Sequence, residues 1–331
     1  MSSIFQGKNI LVTGGTGSIG SEIVRSLLQA KPNVVRVLSN DEDGLFNLEK
    51  ELAVHSNVRF LVGDVRDKER LRRAMEEIDL VFHSAALKHV PICEYNPFEA
   101  VKTNVLGTQN AIEVAMDEQI EKFITISTDK AVNPVNVMGA TKLLAERLTI
   151  SANYYKGARR TIFSCVRFGN VLDSRGSVVP LFISQIEKGG PVTLTDPGMT
   201  RFIMSIPKAV DSVLKAAEIA QGGEIFIFKM CAVRMGDLAS VAIEVMAPRY
   251  GYDPKSIEIK IIGKRFGEKS YEELYTKEEE IVSRETEDMY IVYPIENKKK
   301  ATRASKLSHT SEDGALLTKD EIRRLLVEGS P

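Results

Sequence analysis

The sequence has few cysteines and lacks the long apolar runs that mark membrane segments. Its three cysteines, Cys93, Cys165 and Cys231, are far apart among 331 residues and form no CxxC pair. This pattern argues against a disulfide framework or a zinc site, so no metal is predicted, and it indicates a reducing compartment. No apolar run approaches the roughly 20 residues that span a bilayer, and the N-terminus lacks a signal peptide's apolar core. We therefore expect a cytoplasmic protein without a membrane span.

An excess of charge of either sign is also missing. Lysine and arginine total 44, aspartate and glutamate total 45, and the formal net charge is −1. This balance argues against nucleic acid as the main partner, and we interpret the short basic run Asn297–Lys300 as a solvated loop. The length suffices for one large domain or two modest ones.

Short β-rich runs alternate with amphipathic helical stretches through the first half of the chain. The predicted strands are Asn9–Thr13, Val34–Ser39, Val58–Gly63, Leu80–His83, Phe123–Ser127 and Ile162–Phe168. The predicted helices are Ser18–Ala30, Leu45–Val54, Glu69–Glu76, Phe98–Asp117 and Met138–Tyr155. This alternation predicts an α/β fold with a Rossmann-type, doubly wound parallel sheet.

After Gly169, glycine and proline divide the chain into shorter pieces, which predicts a smaller C-terminal α/β lobe partly interleaved with the sheet. Its predicted elements are helices Val179–Lys188, Lys208–Ala220 and Gly236–Met246, and strands Glu224–Lys229 and Ile257–Ile262. A capping box at Thr318–Glu321 predicts a last helix, Glu321–Val327. The predicted boundaries are 1–175 for an NAD(P)-binding domain, 176–297 for a substrate lobe and 298–331 for a polar tail.

The first predicted strand runs into a glycine-rich turn. Gly14, Gly17 and Gly20 have the spacing G-x-x-G-x-x-G, which permits a tight turn and a close approach of backbone to a pyrophosphate. The next helix directs its N-terminal amides toward the same place. Because strand, turn and helix follow in order, the pattern predicts a dinucleotide site. The turn also contributes Thr16, Ser18 and Ile19.

The ends of the second and third strands leave the choice of cofactor open. The second is followed by Ser39, Asn40 and Asp41. An acidic residue here would hold the ribose 2′-hydroxyl of NAD, whereas a nearby arginine would hold the 2′-phosphate of NADP. The acidic residues come slightly late and no arginine is adjacent, so both cofactors remain possible. Asp64 and Val65, after the third strand, are predicted to meet the adenine.

Longer motifs resemble a known family. The glycine turn, His83–Ala86, Asn104 and the Met138-x-x-x-Lys142 helix resemble the extended short-chain dehydrogenases/reductases. Five further motifs, in order, look like the polysaccharide biosynthesis dehydratases of the CapD/WbpM type, which are UDP-N-acetylglucosamine 4,6-dehydratases. These motifs are Ala85–Pro91, Ser127–Pro134, Arg167–Leu172, Gly176–Phe182 and Gly267–Lys269. The resemblance covers about residues 5–295.

The resemblance implies a cofactor, a substrate and an assembly. It implies tightly bound NAD or NADP that is regenerated in each turnover, a UDP-sugar substrate, and a homo-oligomer paired through helices Phe98–Asp117 and Met138–Tyr155. Many relatives carry membrane helices before this domain, whereas we expect only the catalytic part here. The further cofactor contacts that it implies are Ala85, Ala86, Lys88, Asn104, Ser127 and Lys142.

The implied reaction oxidises sugar C4, eliminates water across C5 and C6, and returns hydride to C6. Lys130 is the expected base at C5, which requires its pKa to fall. Asp129 is the expected acid at C6, and Thr128 is expected to hydrogen-bond the C4 hydroxyl. Lys142 would hold the nicotinamide ribose. Met138 occupies the usual tyrosine position, where a thioether is neither acid nor base.

Substrate contacts are expected mainly from the second lobe. Arg201 and Arg265 are candidates for the diphosphate because a guanidinium matches phosphate oxygens, and Glu268 would orient Arg265. The other predicted substrate contacts are Lys88, His89, Asn170 and Val179. The loop departs from the family at Phe266, where proline is usual.

Two other functions stay open. A UDP-sugar 4-epimerase shares the fold and the C4 oxidation but returns hydride to C4, and a dehydratase that also epimerises C5 is related. The Asp129–Lys130 pair favours dehydration. A non-catalytic NAD(P)-sensing protein is a candidate because the usual tyrosine is missing, although the retained Lys142 argues against it.

Overall fold

The computed structural model describes residues 4–295, 301 and 309–328. The predicted loop Asn297–Lys300 and most of the first part of the predicted tail lie outside these residues. The described strands, in chain order, are β1 (Asn9–Thr13), β2 (Val34–Ser39), β3 (Val58–Val62), β4 (Leu80–His83), β5 (Lys122–Thr128), β6 (Ile162–Phe168), β7 (Asn170–Val171), β8 (Val192–Leu194), β9 (Thr200–Met204), β10 (Ile225–Phe228), β11 (Cys231–Arg234), β12 (Ile259–Ile261), β13 (Ser283–Glu285) and β14 (Met289–Val292).

The described α-helices cover both faces of the main sheet and build the second lobe. They are α1 (Ser18–Gln29), α2 (Glu42–Glu51), α3 (Lys68–Met75), α4 (Val90–Tyr95), α5 (Pro97–Ala100), α6 (Gly107–Asp117), α7 (Val137–Tyr155), α8 (Val178–Ile186), α9 (Ile206–Ile219), α10 (Met235–Met246), α11 (Lys277–Ile281) and α12 (Lys319–Glu328). Among the described residues, no helix is both long and apolar enough to cross a membrane.

The main sheet confirms the predicted fold class. Its strands follow the order β13-β14-β10-β6-β5-β4-β1-β2-β3, and the section from β3 to β6 is parallel. This is the doubly wound order that reverses direction beside β1. β10 continues the parallel sheet, and β14 and β13 add antiparallel strands. The strands β10, β13 and β14, which all lie beyond residue 176, therefore complete the main sheet. The predicted domain boundaries stay predictions.

The predicted helix Phe98–Asp117 is wrong as one continuous α-helix. A π-helix, Val101–Leu106, separates α5 from α6. It turns the buried Asn104 inward, where its amide accepts a hydrogen bond from the Leu87 N–H at 2.8 Å and donates one to the Leu87 oxygen at 2.9 Å. A π-turn of this kind is frequent at functional sites, and here it fixes the loop that follows β4.

The second lobe has its own apolar core. β7, β9 and β11 form one small sheet, and β8 pairs with β12. α8, α10 and α12 pack together through buried residues that include Phe182, Leu238 and Ile322. The predicted capping box is confirmed, since the Thr318 N–H donates to Glu321 Oε2 at 2.8 Å and the Glu321 N–H donates to Thr318 Oγ1 at 3.3 Å. The last helix is thus docked on the lobe.

Candidate active site

A cleft of about 850 Å³ lies between the carboxyl ends of the parallel strands and the second lobe. Ligands of doubly wound sheets bind at this edge, where the strand order reverses. Most predicted cofactor residues line it, namely Gly14, Thr16, Gly17, Ser18, Ile19, Gly20, Ser39, Asn40, Asp41, Asp64, Val65, Ala85, Ala86, Lys88, Ser127 and Lys142. Asn104 lies just behind the lining and supports Leu87.

The glycine-rich turn forms a cradle that a dinucleotide fits. Gly14 has φ +64°, and an added Cβ would lie 2.7 Å from the backbone of Ala85. A Cβ on Gly20 would lie 2.3 Å from the Gly14 oxygen. α1 begins at Ser18, and its N-cap residue is Gly17, which has no side chain to cap the first amides of the helix. The helix amides are therefore available to an anion such as a pyrophosphate.

The far end of the cleft carries acidic groups after β2 and β3. Asp41 Oδ1 accepts the Gly44 N–H at 2.9 Å and caps α2. Asp64 pairs with Arg66 at 2.6 Å, and hydrogen bonds from this guanidinium lower the pKa of the Asp64 carboxyl. Asp41 and Asp64 thus lie at the edge where the adenosine ribose is predicted.

Arg175 also reaches this end of the cleft, and sequence reasoning missed it. Its backbone N–H donates to Ser18 Oγ at 2.9 Å, and its guanidinium donates to the Thr16 oxygen and lies 3.4 Å from Asp41 Oδ2. The next residue, Gly176, has φ +70°. This turn lets the start of the second lobe cross the cofactor loop.

Thr128, Asp129 and Lys130 form one hydrogen-bonded group where β5 ends. The Asp129 carboxyl is fully buried, and its Oδ1 accepts from Thr128 Oγ1 at 2.9 Å and from Lys130 Nζ at 2.9 Å. Lys130 Nζ also donates to Asn170 Oδ1 at 3.1 Å. Thr128, Lys130 and Asn170 line the cleft. The arrangement brings a hydroxyl and an amine to one face of the cavity, and the buried Asp129 carboxyl, which is not part of the lining, accepts hydrogen bonds from both.

Glu272 is a second buried carboxyl beside this group, and sequence reasoning missed it. Its Oε1 lies 3.7 Å from Lys130 Nζ and 3.9 Å from Arg201 Nε. Burial raises the pKa of Glu272, against the opposing effect of Lys130. Burial alone would lower the pKa of Lys130, but Asp129 and Glu272 outweigh it and raise that pKa. The expected fall in the Lys130 pKa is therefore wrong for this arrangement.

Lys142 and Met138 lie one turn apart on α7, as their spacing predicts. Lys142 Nζ donates to the Ile126 oxygen at 2.6 Å, and burial lowers the pKa of Lys142 to about 8. Met138 packs against Cys93 and Ala100 and also borders the cleft. The side chain at the usual tyrosine position is thus apolar and supplies neither an acid nor a base.

The predicted substrate residues fall into two groups. Lys88, His89 and Asn170 line the cleft. Burial lowers the pKa values of Lys88 and His89. The structure does not bring the other four to the lining, and these are Val179, Arg201, Arg265 and Glu268.

Away from the lining, Val179, Arg201 and Glu268 make other contacts, and the backbone of Arg265 takes part in one of them. Val179 is buried in the lobe core. Arg201 donates to the backbone oxygens of Thr200 at 2.7 Å and Lys269 at 2.8 Å. Glu268 Oε2 accepts the backbone N–H of Arg265 at 3.0 Å rather than its guanidinium. Their roles toward a substrate stay predictions.

Comparison with known proteins identifies similar chains. A family model described as "Polysaccharide biosynthesis protein" matches residues 10–294. An uncharacterized membrane protein of Methanocaldococcus jannaschii is 64% identical over 330 residues, which are 99% of this chain and 98% of that protein. A UDP-N-acetylglucosamine 4,6-dehydratase (inverting) of Campylobacter jejuni is 44% identical over 294 residues, 88% of this chain and 84% of that protein.

Two further matches bear on the fold and the reaction. The solved structure of Pen from Bacillus thuringiensis has a TM-score of 0.94 at 45% identity and covers 99% of both chains. A UDP-glucose 4-epimerase of Rickettsia conorii is 38% identical over 98% of this chain and 96% of that protein. The similar chains thus include both a dehydratase and an epimerase.

Proposed function

The chain belongs to the polysaccharide biosynthesis protein family, as its motifs predict, and we propose that it is a nucleotide-sugar 4,6-dehydratase. Its proposed substrate is UDP-N-acetylglucosamine, and its product is a UDP-4-keto-6-deoxy-N-acetylhexosamine for glycan synthesis. The relatives support a nucleotide-sugar dehydratase or epimerase as the enzyme class. The observation that carries the narrower proposal is the hydrogen-bonded group of Thr128, Asp129 and Lys130 at the cleft.

The cleft fits NAD or NADP. The glycine cradle and the start of α1 would hold the pyrophosphate, and Lys142 would hold the nicotinamide ribose. When bound, the dinucleotide supplies the hydride acceptor for C4 and the hydride donor for C6. The choice between NAD and NADP stays open, because Asp41 and Arg175 lie together at the ribose end.

The C4 hydroxyl proton has a path that does not need a tyrosine. Thr128 Oγ1 donates to Asp129 Oδ1 at 2.9 Å. As C4 is oxidised, the Thr128 hydroxyl takes the substrate proton and passes its own to the Asp129 carboxylate. Asp129 then carries the proton that the C6 hydroxyl needs in order to leave as water, so one residue links the two steps.

Lys130 completes the elimination. As a free amine it takes the C5 proton, the C5–C6 double bond forms, and the C6 hydroxyl leaves with the proton from Asp129. Asp129 returns to its carboxylate form, and Lys130 becomes an ammonium. When C6 is reduced, a proton returns to C5. Return from Lys130 retains the C5 configuration, and return to the opposite face inverts it.

A UDP-sugar 4-epimerase is the second candidate, favoured by the Rickettsia conorii relative. It would use the Thr128–Asp129 relay at C4, but its reaction removes no proton from C5 and so does not need the Lys130 amine. A non-catalytic NAD(P)-binding role is the third candidate, and it assigns no function to Thr128, Asp129 and Lys130. Incubation with UDP-N-acetylglucosamine in D₂O separates the three.

The test follows the sugar by NMR with NAD or NADP added. A 4-keto-6-deoxy product that carries deuterium at C5 is expected. UDP-N-acetylgalactosamine without dehydration would mean an epimerase, and an unchanged sugar with both cofactors would count against catalysis on this substrate.

A further inference from the structure

Glu272 is the third ionisable group of the Asp129–Lys130 site. It is almost fully buried, and its Oε2 has no hydrogen-bond partner among the described residues. Its Oε1 lies 3.7 Å from Lys130 Nζ. An unpaired buried carboxyl oxygen lowers the stability of the folded protein. We therefore look for a function of Glu272 beyond packing.

The backbone of Glu272 is held firmly in place by the C-terminal segment. Its N–H donates to Ser311 Oγ at 3.0 Å, and its oxygen accepts the Ser311 N–H at 2.9 Å. Ser311 Oγ in turn bonds Thr200 on β9. The second lobe and the C-terminal segment together present this carboxyl to Lys130.

The proposed reaction requires a group that takes one proton from the Lys130 ammonium before elimination. Lys130 must be a free amine to take the C5 proton, yet Asp129 and Glu272 favour its ammonium form. Asp129 is not available for the surplus proton, because its carboxylate must receive the C4 proton through Thr128. Glu272 is the other carboxyl within 4 Å of Lys130 Nζ among the described residues.

We propose that Glu272 accepts the surplus proton of Lys130 before elimination and returns it after the cycle. This inference rests on the proposed dehydratase function. The Oε1–Nζ separation of 3.7 Å first closes to hydrogen-bond distance. One N–H bond of Lys130 then breaks and one O–H bond of Glu272 forms, so an ion pair becomes a neutral pair, and this transfer itself takes no proton from solvent. Because Glu272 acts on the sugar only through Lys130, it is a positioning residue.

The surroundings of the Glu272 carboxyl act on this transfer in both directions. The charged groups that face the Glu272 carboxyl are Asp129, Lys130, Arg201 and Lys269. Burial, with a contribution from Asp129, raises the pKa of Glu272 and favours its protonated form, and this effect outweighs the opposing effects of Lys130, Arg201 and Lys269. A neutral pair is also less costly than separated charges in a buried site.

The test compares Glu272→Gln with Glu272→Asp. Glutamine keeps the shape but accepts no proton, whereas aspartate keeps the carboxyl at a longer distance. Glu273→Gln is the matched control, because it removes a neighbouring carboxylate that pairs with Lys269 at 3.5 Å outside the reacting group. C4 oxidation is measured by the near-ultraviolet absorbance of the reduced nicotinamide, and C5 exchange by NMR in D₂O.

Glu272→Gln is expected to keep C4 oxidation but to slow C5 exchange at least about tenfold at neutral pH, because Asp129 still favours the Lys130 ammonium and no carboxyl takes its surplus proton. Its exchange should then rise about tenfold per pH unit, because Lys130 must lose its proton to solvent. The wild type, Glu272→Asp and Glu273→Gln should show much flatter profiles over the same range.

An unaltered rate and pH profile in Glu272→Gln would overturn the inference, as would an equal loss of C4 oxidation and C5 exchange. If Glu272→Gln does not fold, a steep profile in Glu272→Asp overturns it instead. Failure of the wild type to form the 4-keto-6-deoxy sugar would refute the proposed function, which is a different result.

Discussion

The apolar residue at the usual tyrosine position changes how the site must handle a proton. Met138 packs against Cys93 and Ala100 and offers no acid or base. The hydrogen bond from Thr128 to Asp129 supplies an alternative acceptor within the same cleft. The proposed mechanism therefore depends on the Thr128 hydroxyl.

Thr128→Val should slow C4 oxidation by about 10²-fold, the lower end of what a positioned acid–base group contributes. Thr128→Ser keeps the hydroxyl and should stay close to the wild type. Stopped-flow absorbance of the reduced nicotinamide measures this step. Equal rates for the valine and serine variants would contradict the relay.

Lys142 should make folding stability depend on pH. Its pKa is lowered to about 8 by burial, below the usual value of about 10.4. Between these values the unfolded chain binds the proton and the folded chain does not, so stability rises with pH. Relative to Lys142→Met, the wild type should gain about 3 kcal/mol from pH 8 to pH 10.5.

Urea unfolding of both proteins at several pH values measures this difference. Lys142→Met removes the titrating amine, so the comparison cancels other groups. A difference that stays constant over the window, or that falls as pH rises, would contradict the assigned burial of the amine.

At the scale of elements, a buried ion cluster connects β6, α7 and α11. The Arg167 guanidinium bonds Glu146 at 2.7 Å and Glu279 at 2.8 Å. Glu146 lies one turn beyond Lys142 on α7. Glu279 lies on α11, which follows the segment that carries Glu272, and Arg167 also donates to the Leu274 oxygen of that segment at 2.9 Å. The cluster therefore links the helix that carries Lys142 to the segment that carries Glu272.

Arg167→Met should destabilise the protein by about 3–5 kcal/mol, because it leaves two buried carboxylates unpaired. Arg159→Ala is the control, since Arg159 is exposed and lies 3.7 Å from Asp117, where a surface pair contributes at most about 1 kcal/mol. Chemical denaturation measures both. Similar losses for the two variants would contradict the role of the cluster.

The elements also show what the sequence could predict. β1, β2, β4 and β6 match their predicted bounds, because buried parallel strands are continuous apolar runs between turn residues. The π-helix was missed because Asn104 bonds Leu87, a contact that local periodicity does not contain. Glu272 and Arg175 were missed for the same reason, since their partners are distant along the chain.

At the scale of the whole molecule, homo-oligomerisation stays a prediction. Leu106 and Leu144 are exposed apolar residues near the predicted pairing helices. Leu144→Glu should shift the protein to smaller species in light scattering, because a charge at an apolar contact is costly. Val54→Glu, at another exposed apolar position, should not. An unchanged mass for Leu144→Glu would exclude a contact at this residue.

The proposed reaction removes water across C5 and C6 of a UDP-sugar in this cleft. The most direct measurement is NMR of UDP-N-acetylglucosamine with the whole protein and either cofactor in D₂O, beside Lys130→Met. We expect a 4-keto-6-deoxy product with deuterium at C5, no net cofactor reduction, and no such product with Lys130→Met. Epimerisation at C4 without deuterium at C5, or equal dehydration by Lys130→Met, would contradict it.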